Sequence, residues 1–438
     1  MLHGPTAVGP RMHVLLDSGD YHFSNMGDVA MLQVAVARLL EIWPSASIDV
    51  LTQDSAALAK YLPGALPLSW HGRSSWMGRG ALLGSLEKVA RRVTPPGSPG
   101  IEGVLRQRGP RLFSKLVRTK FRARGHPTAE LDEFVTALDD ADAVVVCGAG
   151  GITDHAAAWM VPMLEFVGVA TRRRIPTAMF SQGIGPLRDP ALRSVLGRVL
   201  PKVNLLALRE SEQGPVLLRE LGISLGDRLL FTGDDAIELA HGMRPPTLGT
   251  ELGLNLRVAR SAHTDGSLVE LLREPILRFA REHGVTVIPL PIGRSAASDD
   301  AAAICELLAG YDDSTDGGSA LDSPARLIEQ AGRCRVVVTG AYHAAVFALS
   351  QGVPTVCLAR APYFSGKFHG LAKQFGEGCS VVDLQSASAP ADVYAALSWS
   401  WERAPELHEP LLEAARTQIT ASRAAYRRFA ELVEKVPA

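Results

Sequence analysis

The chain has 438 residues, of which 47% are apolar and 21% are charged, and its formal net charge is −1. This balance excludes a general nucleic-acid-binding protein, which would carry a marked basic excess. Five cysteines are scattered without a CxxC pair, so the sequence predicts neither a disulfide framework nor a zinc site. The length exceeds what one hydrophobic core usually supports, and we expect two domains.

No stretch of the sequence reaches the roughly 18 consecutive apolar residues of a membrane-spanning helix. The N-terminus also lacks a charged region followed by a long apolar one. From these features we expect a cytoplasmic protein.

The chain opens with a predicted strand at residues 12–16, and a polar, glycine-bearing loop follows it. The loop ends in Asn25-Met26-Gly27-Asp28, where Asp28 is expected to cap the helix that comes next. A strand at 48–51 completes a strand, loop, helix and strand unit. The loop lacks the GxGxxG spacing of a dinucleotide site, so it predicts either a ligand-facing turn or a tight connector.

Residues 63–127 are predicted to be an irregular insertion, with a loop or linker at 95–100. Between residues 91 and 124 only Glu102 opposes ten cationic side chains. Two interpretations remain open: a basic patch for an anionic acceptor or a lipid surface, or a solvated face without a partner. The ten cations are Arg91, Arg92, Arg106, Arg108, Arg111, Lys115, Arg118, Lys120, Arg122 and Arg124.

Four further apolar strands of the first half end in polar or glycine-rich turns, which indicates a ligand-binding edge. The strand at 143–147 runs into Gly148–Gly151, and the strand at 177–180 runs into the glycine turn at 182–186. Arg209 directly follows the strand at 205–208, where a guanidinium could hold an anion or form an interdomain ion pair. The strand at 229–231 is followed by Asp234 and Asp235.

The second half begins after a predicted linker at 241–249, with a strand at 253–257. A β-branched strand at 336–339, Gly340, a helix at 344–351 and a strand at 355–358 form its centre. His343 falls near the start of that helix, where open α/β sheets place ligands, although a hydrogen-bonded structural histidine is also compatible with this position. The tail from Glu406 to Val436 is predicted to be helical and able to cross back onto the first domain.

The ordered set of these motifs resembles the polysaccharide pyruvyltransferase family over roughly residues 12 to 376. The resemblance implies an α/β fold of two Rossmann-like domains facing a cleft, in the arrangement of GT-B glycosyltransferases. We expect an N-terminal domain at 1–245, a C-terminal domain at 250–405 and a helical tail at 406–438. The motifs are Asn25–Asp28, Cys147–Gly151, Gln182–Pro186, Leu208–Ser211, Asp234 with Asp235, Asn255–Arg257, and the His343 segment with Gly352–Pro354 and Lys367.

The family resemblance implies a transferase that moves a pyruvyl group from phosphoenolpyruvate to sugar hydroxyls of a polysaccharide or glycolipid precursor. Phosphoenolpyruvate would be a co-substrate, and no cofactor or metal is expected. Asp28 or Asp235 could accept a hydroxyl proton. The expected catalytic residues are His343, Arg209 and Asp28; the expected donor-binding residues are Arg209, Lys367, Arg257, Tyr342 and Gly340; and the expected acceptor or cleft residues are Asn25, Gly27, Gly150, Gly151, Gln182, Gly183 and Asp235.

One position departs from the family pattern, because the family usually places an arginine two residues before the histidine and this chain has Ala341. Either another cation replaces it, with Lys367 or Arg257 as candidates, or the donor differs. The alternatives are therefore a GT-B-like transferase that uses a nucleotide sugar or a natural-product acceptor, and a non-catalytic binding protein on the same fold.

Overall fold

The computed structural model describes residues 12–78, 81–84, 87, 100–148, 150–257, 266–295 and 298–435. Its first sheet has seven strands in the order β3-β2-β1-β4-β5-β6-β7, and every neighbouring pair is parallel. The strand order reverses between β1 and β4, so the loops after these two strands flank the crevice in which such sheets bind ligands. The strands are β1 His13–Asp17, β2 Ser47–Thr52, β3 Leu66–Ser69, β4 Ala143–Val146, β5 Thr177–Gln182, β6 Leu205–Leu208 and β7 Leu229–Phe231.

The second sheet has five parallel strands in the order β14-β13-β12-β8-β9, and its order reverses between β8 and β12. A short antiparallel pair, β10 and β11, lies outside it. The strands are β8 Glu251–Asn255, β9 Val287–Pro289, β10 Arg294–Ser295, β11 Ser298–Asp299, β12 Cys334–Thr339, β13 Thr355–Ala359 and β14 Cys379–Asp383.

Helices connect the strands of both sheets, as parallel pairing requires. With the first sheet come α1 Met26–Ile42, α2 Ser55–Tyr61, α3 Trp70–Met77, α4 Gly100–Arg108, α5 Pro110–Ala123, α6 Ala129–Asp140, α7 Ala157–Arg172, α8 Pro190–Val199, α9 Gln213–Glu220 and α10 Ala236–Gly242. With the second come α11 Gly266–His283, α12 Asp300–Leu308, α13 Pro324–Gly332, α14 Tyr342–Leu349 and α15 Pro362–Phe375, and the chain ends in α16 Ala389–Glu434. We call these two groups the first and second lobes. The predicted α/β fold with two Rossmann-like domains is confirmed.

An apolar interface joins the two lobes, because α1 and α10 pack against α14 within one continuous buried cluster. Backbone hydrogen bonds add to it: Met26 N donates to Ile292 O at 3.1 Å and Arg294 N donates to Ser24 O at 2.9 Å. The loop that precedes α1 and the first residue of α1 are therefore hydrogen-bonded directly to the second lobe.

The last helix returns to the first lobe, as the sequence predicted, but it begins much earlier than residue 406. It starts at Ala389 and continues through Pro405 and Pro410, which a sequence pattern would take as helix-ending residues. Near its end the Tyr426 ring stacks on Phe180 of β5, with centroids 3.7 Å apart.

The prediction that residues 63–127 are irregular is wrong, because this segment contributes β3, α3, α4 and α5. Of the predicted loop at 95–100, only Gly100 lies within the described residues, and it begins α4. Arg91 and Arg92 also lie outside them. No helix in the described part of the chain has both the length and the apolar character needed to cross a bilayer.

Candidate functional site

The carboxyl ends of both sheets carry the polar groups that meet between the lobes. From the first lobe come the turns after β4 and β5, Arg209 after β6 and Asp234 after β7. From the second lobe come Arg257 after β8, the segment Gly340–His343 after β12, and Lys367 on α15. The two places where strand order reverses thus contribute to one candidate site.

Asp234 links the two lobes, because it contacts both the guanidinium and the imidazole of the candidate site. Its Oδ2 lies 3.3 Å from Arg209 Nη1 and 3.5 Å from His343 Nε2. Burial would raise the pKa of Asp234, but the close contact and charge of His343 and the charge of Arg209 outweigh it and lower the pKa. Asp234 therefore carries a negative charge that orients both partners.

Arg209 is almost fully buried, with 1% exposure, yet it faces the interlobe pocket. Its guanidinium carbon lies 4.1 Å from the centroid of the Tyr342 ring, so an arginine of one lobe stacks on an aromatic ring of the other. A planar cation held on two sides is suited to bind a carboxylate or phosphate through paired hydrogen bonds.

Glycines of the predicted turns make room for these side chains. A Cβ at Gly150 would overlap Arg209 Nη2 and Lys367 Nζ, and one at Gly183 would lie 2.9 Å from Arg209 Nε. A Cβ at Gly27 would overlap the His343 ring. Close approach of side chains to backbone thus explains why these three positions accommodate only glycine in this arrangement.

Lys367 reaches the same point from the second lobe, and its Nζ donates to Gly150 O at 3.2 Å. Burial, followed by the positive charge of Arg209, lowers the pKa of Lys367 well below its ordinary value. An anion bound between Arg209 and Lys367 would favour the protonated form of Lys367 and offset its repulsion by Arg209.

Asp28 lies in the first turn of α1, but the prediction that it caps this helix is wrong. Asn25 is the N-cap, because its Oδ1 accepts from Gly27 N at 3.0 Å and from Asp28 N at 3.4 Å. The Asp28 carboxyl makes no cap and lies near the charged groups of the candidate site, His343, Arg209 and Arg257. Its burial raises its pKa to about 6, with Asp20 adding to the rise and His343, Arg209 and Arg257 opposing it.

Arg257 stands at the edge of the site, where its Nη1 lies 3.9 Å from Asp300 Oδ2. Asp300 is fully buried and accepts from Asn255 Nδ2 at 3.0 Å, so the carboxylate fixes the turn after β8. The backbone of Gly340 runs beside Arg257: a Cβ there would lie 3.3 Å from Arg257 Cβ.

Three predicted cleft residues lie in packed surroundings. Gln182 is buried, and its Nε2 donates to Phe180 O at 2.8 Å. Gly151 packs against Met160, whose Cε lies 3.1 Å from the position of a Cβ. Asp235 is fully buried beneath α16, and its carboxylate binds Arg38, Ser422 and Tyr426. We therefore assign Asp235 to the attachment of α16 rather than to proton transfer.

Replacing Ser422 with alanine tests this assignment of Asp235. Ser422 Oγ donates to Asp235 Oδ1 at 2.6 Å and accepts from Arg38 Nη1 at 2.6 Å. Ser422→Ala loses these buried hydrogen bonds to charged groups, so its free energy of unfolding should be lower by about 1.5–3 kcal/mol. At a temperature where the variant is folded, its kcat should equal that of the wild type. Thr420→Ala, on the exposed side of α16, is the control in denaturant titrations and should change stability little. A loss of kcat without a loss of stability would contradict the assignment.

A narrow pocket lies between the lobes, and its lining adds residues that sequence reasoning missed. Glu210 and Gln213 line it together with Gly183, Arg209, Tyr342 and Lys367. Glu210 caps α9 by accepting from Gln213 N at 3.0 Å and Gly214 N at 3.0 Å. The Glu-x-x-Gln spacing is not the Ser/Thr-x-x-Glu/Gln pattern of a capping box, so no sequence signal marked Glu210, and none distinguished Asp234 from its neighbour Asp235.

His343 does not line this pocket and is only 5% exposed. Its ring packs over Gly27 and contacts Asp234. Within the described residues, no group of three or more His, Cys, Asp or Glu side chains could hold a metal ion.

The fold, with two Rossmann-like domains facing one interlobe site, is a GT-B-like architecture. A putative UDP-N-acetylglucosamine 2-epimerase from Listeria monocytogenes superposes with a TM-score of 0.54 at 10% identity, over 97% of this chain and 96% of that chain. The UDP-GlcNAc 2-epimerase from Methanocaldococcus jannaschii gives 0.53 at 12% identity, over 96% and 99%. A glycotransferase of kitacinnamycin gives 0.50 at 12% identity, over 98% and 100%.

The sequence itself gives the narrower assignment. Residues 25–362 match the family described as polysaccharide pyruvyl transferase. The chain therefore belongs to the polysaccharide pyruvyl transferase family, and the resemblance inferred from its motifs is confirmed. No curated protein matches the chain.

Proposed function

We propose that the protein transfers a pyruvyl group from phosphoenolpyruvate to two hydroxyls of one sugar in a polysaccharide or glycolipid precursor. The observation that carries this proposal is the convergence of Arg209 and Lys367 on Gly150, next to the pair formed by Asp234 and His343. Two cations in a small pocket match a small donor with two anionic groups.

Lys367 is our candidate for the cation that replaces the family arginine at the Ala341 position. Ala341 is buried, and its backbone N–H already donates to Thr339 Oγ1 at 2.8 Å. This N–H is therefore not available to bind the donor. Lys367 approaches Arg209 from the opposite lobe. In this scheme Arg209 and Lys367 hold the carboxylate and phosphate, with Arg257 as a third cation at the rim.

Ketal formation requires a proton on the terminal enol carbon, and His343 is the proposed donor. The resulting oxocarbenium-like carbon accepts the first hydroxyl oxygen, whose proton passes to Asp28. The bond from that carbon to the phosphate oxygen then breaks, and the second hydroxyl oxygen forms the other ketal bond. The proton held by Asp28 then leaves with phosphate, and the proton of the second hydroxyl replaces the one that His343 gave to carbon, so both residues return to their starting states.

Because His343 is almost fully buried, the proposed mechanism also requires the lobes to move. The contacts of Ser24 and Met26 with Arg294 and Ile292 keep the lobes together, and in this closed arrangement the imidazole is covered. We infer that the lobes separate to admit the substrates and close over them, which excludes water from the oxocarbenium-like centre.

A nucleotide-sugar transferase is the second candidate, and a separate pocket favours it. This pocket lies at the carboxyl ends of the second sheet, and its lining includes Arg257, Arg360 and Phe364. One solved structure of similar fold is a Staphylococcus aureus MnaA complex with UDP, with a TM-score of 0.53. A cation beside an apolar wall could hold a nucleotide diphosphate and base.

One experiment separates these candidates from a non-catalytic binding protein. Purified protein is incubated with phosphoenolpyruvate and a panel of glycan acceptors, and phosphate release is measured alongside the mass of the acceptor. Acceptor-dependent phosphate release with a ketal-sized mass gain supports the pyruvyl transfer. Sugar transfer from UDP-sugars without phosphate release supports the second candidate, and binding without turnover of either donor supports a binding protein.

The pH dependence of kcat/KM tests the role of Asp28. Below pH about 6 the carboxyl is protonated and cannot accept a hydroxyl proton, so kcat/KM should fall about tenfold per pH unit on the acid side. Asp28→Asn should lower the plateau and remove this acid limb. A phosphate monoester also titrates at about pH 6. If the fall in kcat/KM at low pH persists in Asp28→Asn, it arises from the phosphate of the donor, and Asp28 is not the proton acceptor.

A further inference from the structure

The insertion of the first lobe presents a surface that the cleft does not use. On α4 the exposed side chains include Ile101, Val104, Leu105 and Arg108, and on α5 they include Arg111, Leu112, Lys115 and Leu116. We call this surface the α4–α5 face. Five of the nine large apolar side chains that are exposed in the described residues lie on it, and Leu112 is 60% exposed.

The two helices follow one another directly, and each exposes apolar and cationic side chains. Only Gly109 separates them, and hydrogen bonds cross the junction from Gly109 N to Leu105 O and from Phe113 N to Gly109 O, each 2.8 Å long. Within each helix the exposed apolar and cationic side chains recur at spacings of three and four residues, which place them on one side of that helix.

The opposite side of α5 is firmly held by the first lobe. Phe113 and Val117 are buried, and the Trp76 ring packs against Phe113 with centroids 5.9 Å apart. Trp76 Nε1 also donates to Ser114 Oγ at 2.9 Å. The exposed leucines are therefore presented on an anchored helix and are not the unfilled half of a local core.

Charge on the α4–α5 face has one sign. Glu102 is turned inward with 1% exposure and accepts from Leu82 N at 2.8 Å. Arg118 and Arg122 are paired with Asp132 of α6. Within the described part of the chain, Arg108, Arg111 and Lys115 form no ion pair, so they remain available to an outside anion.

We propose that the α4–α5 face docks the protein on a bilayer of anionic phospholipid. Leucines flanked by arginine and lysine on one helical side match a bilayer interface, which takes apolar groups below its phosphates and cations at them. A protein partner would need an acidic and apolar surface of matching shape, whereas a bilayer needs only this mixture. The inference does not depend on the donor or on the chemistry of the cleft.

Vesicle flotation with the full chain tests the proposal. The protein should float with vesicles of mixed phosphatidylcholine and phosphatidylglycerol, remain in solution with phosphatidylcholine alone, and be released by salt. Arg111→Gln and Lys115→Gln should each weaken partitioning about fivefold, and the double variant Leu112→Ser with Leu116→Ser should weaken it about tenfold or more. All of these side chains are exposed, and circular dichroism should confirm that the variants remain folded.

Matched substitutions on α9 provide the control, because Val216 and Arg219 are also exposed. The double variant Val216→Ser with Arg219→Gln should float as the wild type does. Soluble glycerol phosphate should not displace the protein, since release by it would identify a free phosphate site instead of a bilayer. Failure to float with anionic vesicles, equal flotation with phosphatidylcholine alone, or unchanged flotation of both α5 variants would overturn the proposal.

Discussion

Replacing His343 with asparagine is expected to reduce kcat by about 10²–10⁴-fold, the usual contribution of a positioned general acid. Asparagine keeps a polar planar group of smaller size next to Asp234 but cannot deliver a proton to the enol carbon. Donor affinity should change little, because Arg209 and Lys367 remain. Single-turnover phosphate release and equilibrium binding of phosphoenolpyruvate measure the two effects separately.

A structural role for His343 would give a different pattern. The ring packs on Gly27 and contacts Asp234 across the lobes, so a purely structural histidine would show lower stability together with weaker donor binding. His369→Asn is the matched control, since His369 lies on α15 and is exposed. Full turnover by His343→Asn would remove it from the catalytic residues, whereas loss of turnover in His369→Asn would indicate a general effect of the substitution.

The parts of the site that sequence could predict are those fixed by local pattern. Apolar strands ending in glycine or polar residues give the positions of Arg209 and His343, because a parallel sheet brings the carboxyl ends of its strands to one edge. The structure brings these two residues together through Asp234. Their chemical roles remain predictions.

The choice between Asp234 and Asp235 could not be made from sequence. Both follow β7, and the start of α10 directs one carboxylate to the cleft and the other beneath α16. The partners of Asp235 are Arg38, Ser422 and Tyr426, which are far away in the chain. No local signal encodes such contacts, and the early start of α16 was hidden by its two prolines.

Replacing Lys367 with methionine is expected to raise KM for phosphoenolpyruvate by about 30-fold or more, the effect of removing one partner of a buried charge pair. Methionine has a similar length, so the packing of α15 should persist. Lys373→Met, on the same helix, is the matched control: Lys373 is exposed and pairs with Glu212 at the surface, so KM should stay unchanged. An unchanged KM in Lys367→Met would leave the Ala341 position without a compensating cation and favour a different donor.

Stability separates this binding role of Lys367 from a structural one. Burial and the charge of Arg209 lower the pKa of Lys367 in the folded protein. In the unfolded chain the pKa of this lysine has its ordinary value near 10.4. At pH values between the two, Lys367 is protonated in the unfolded chain and not in the folded protein. The free energy of unfolding of the wild type should therefore rise with pH across this window. Lys367→Met lacks this titration, so it should be more stable than the wild type at neutral pH, with an advantage that shrinks as the pH rises. If Lys367→Met is less stable than the wild type at neutral pH, Lys367 supports the fold through its contact with Gly150. If the variant is more stable but binds the donor more weakly, Lys367 lowers the stability of the free protein and contributes to donor binding.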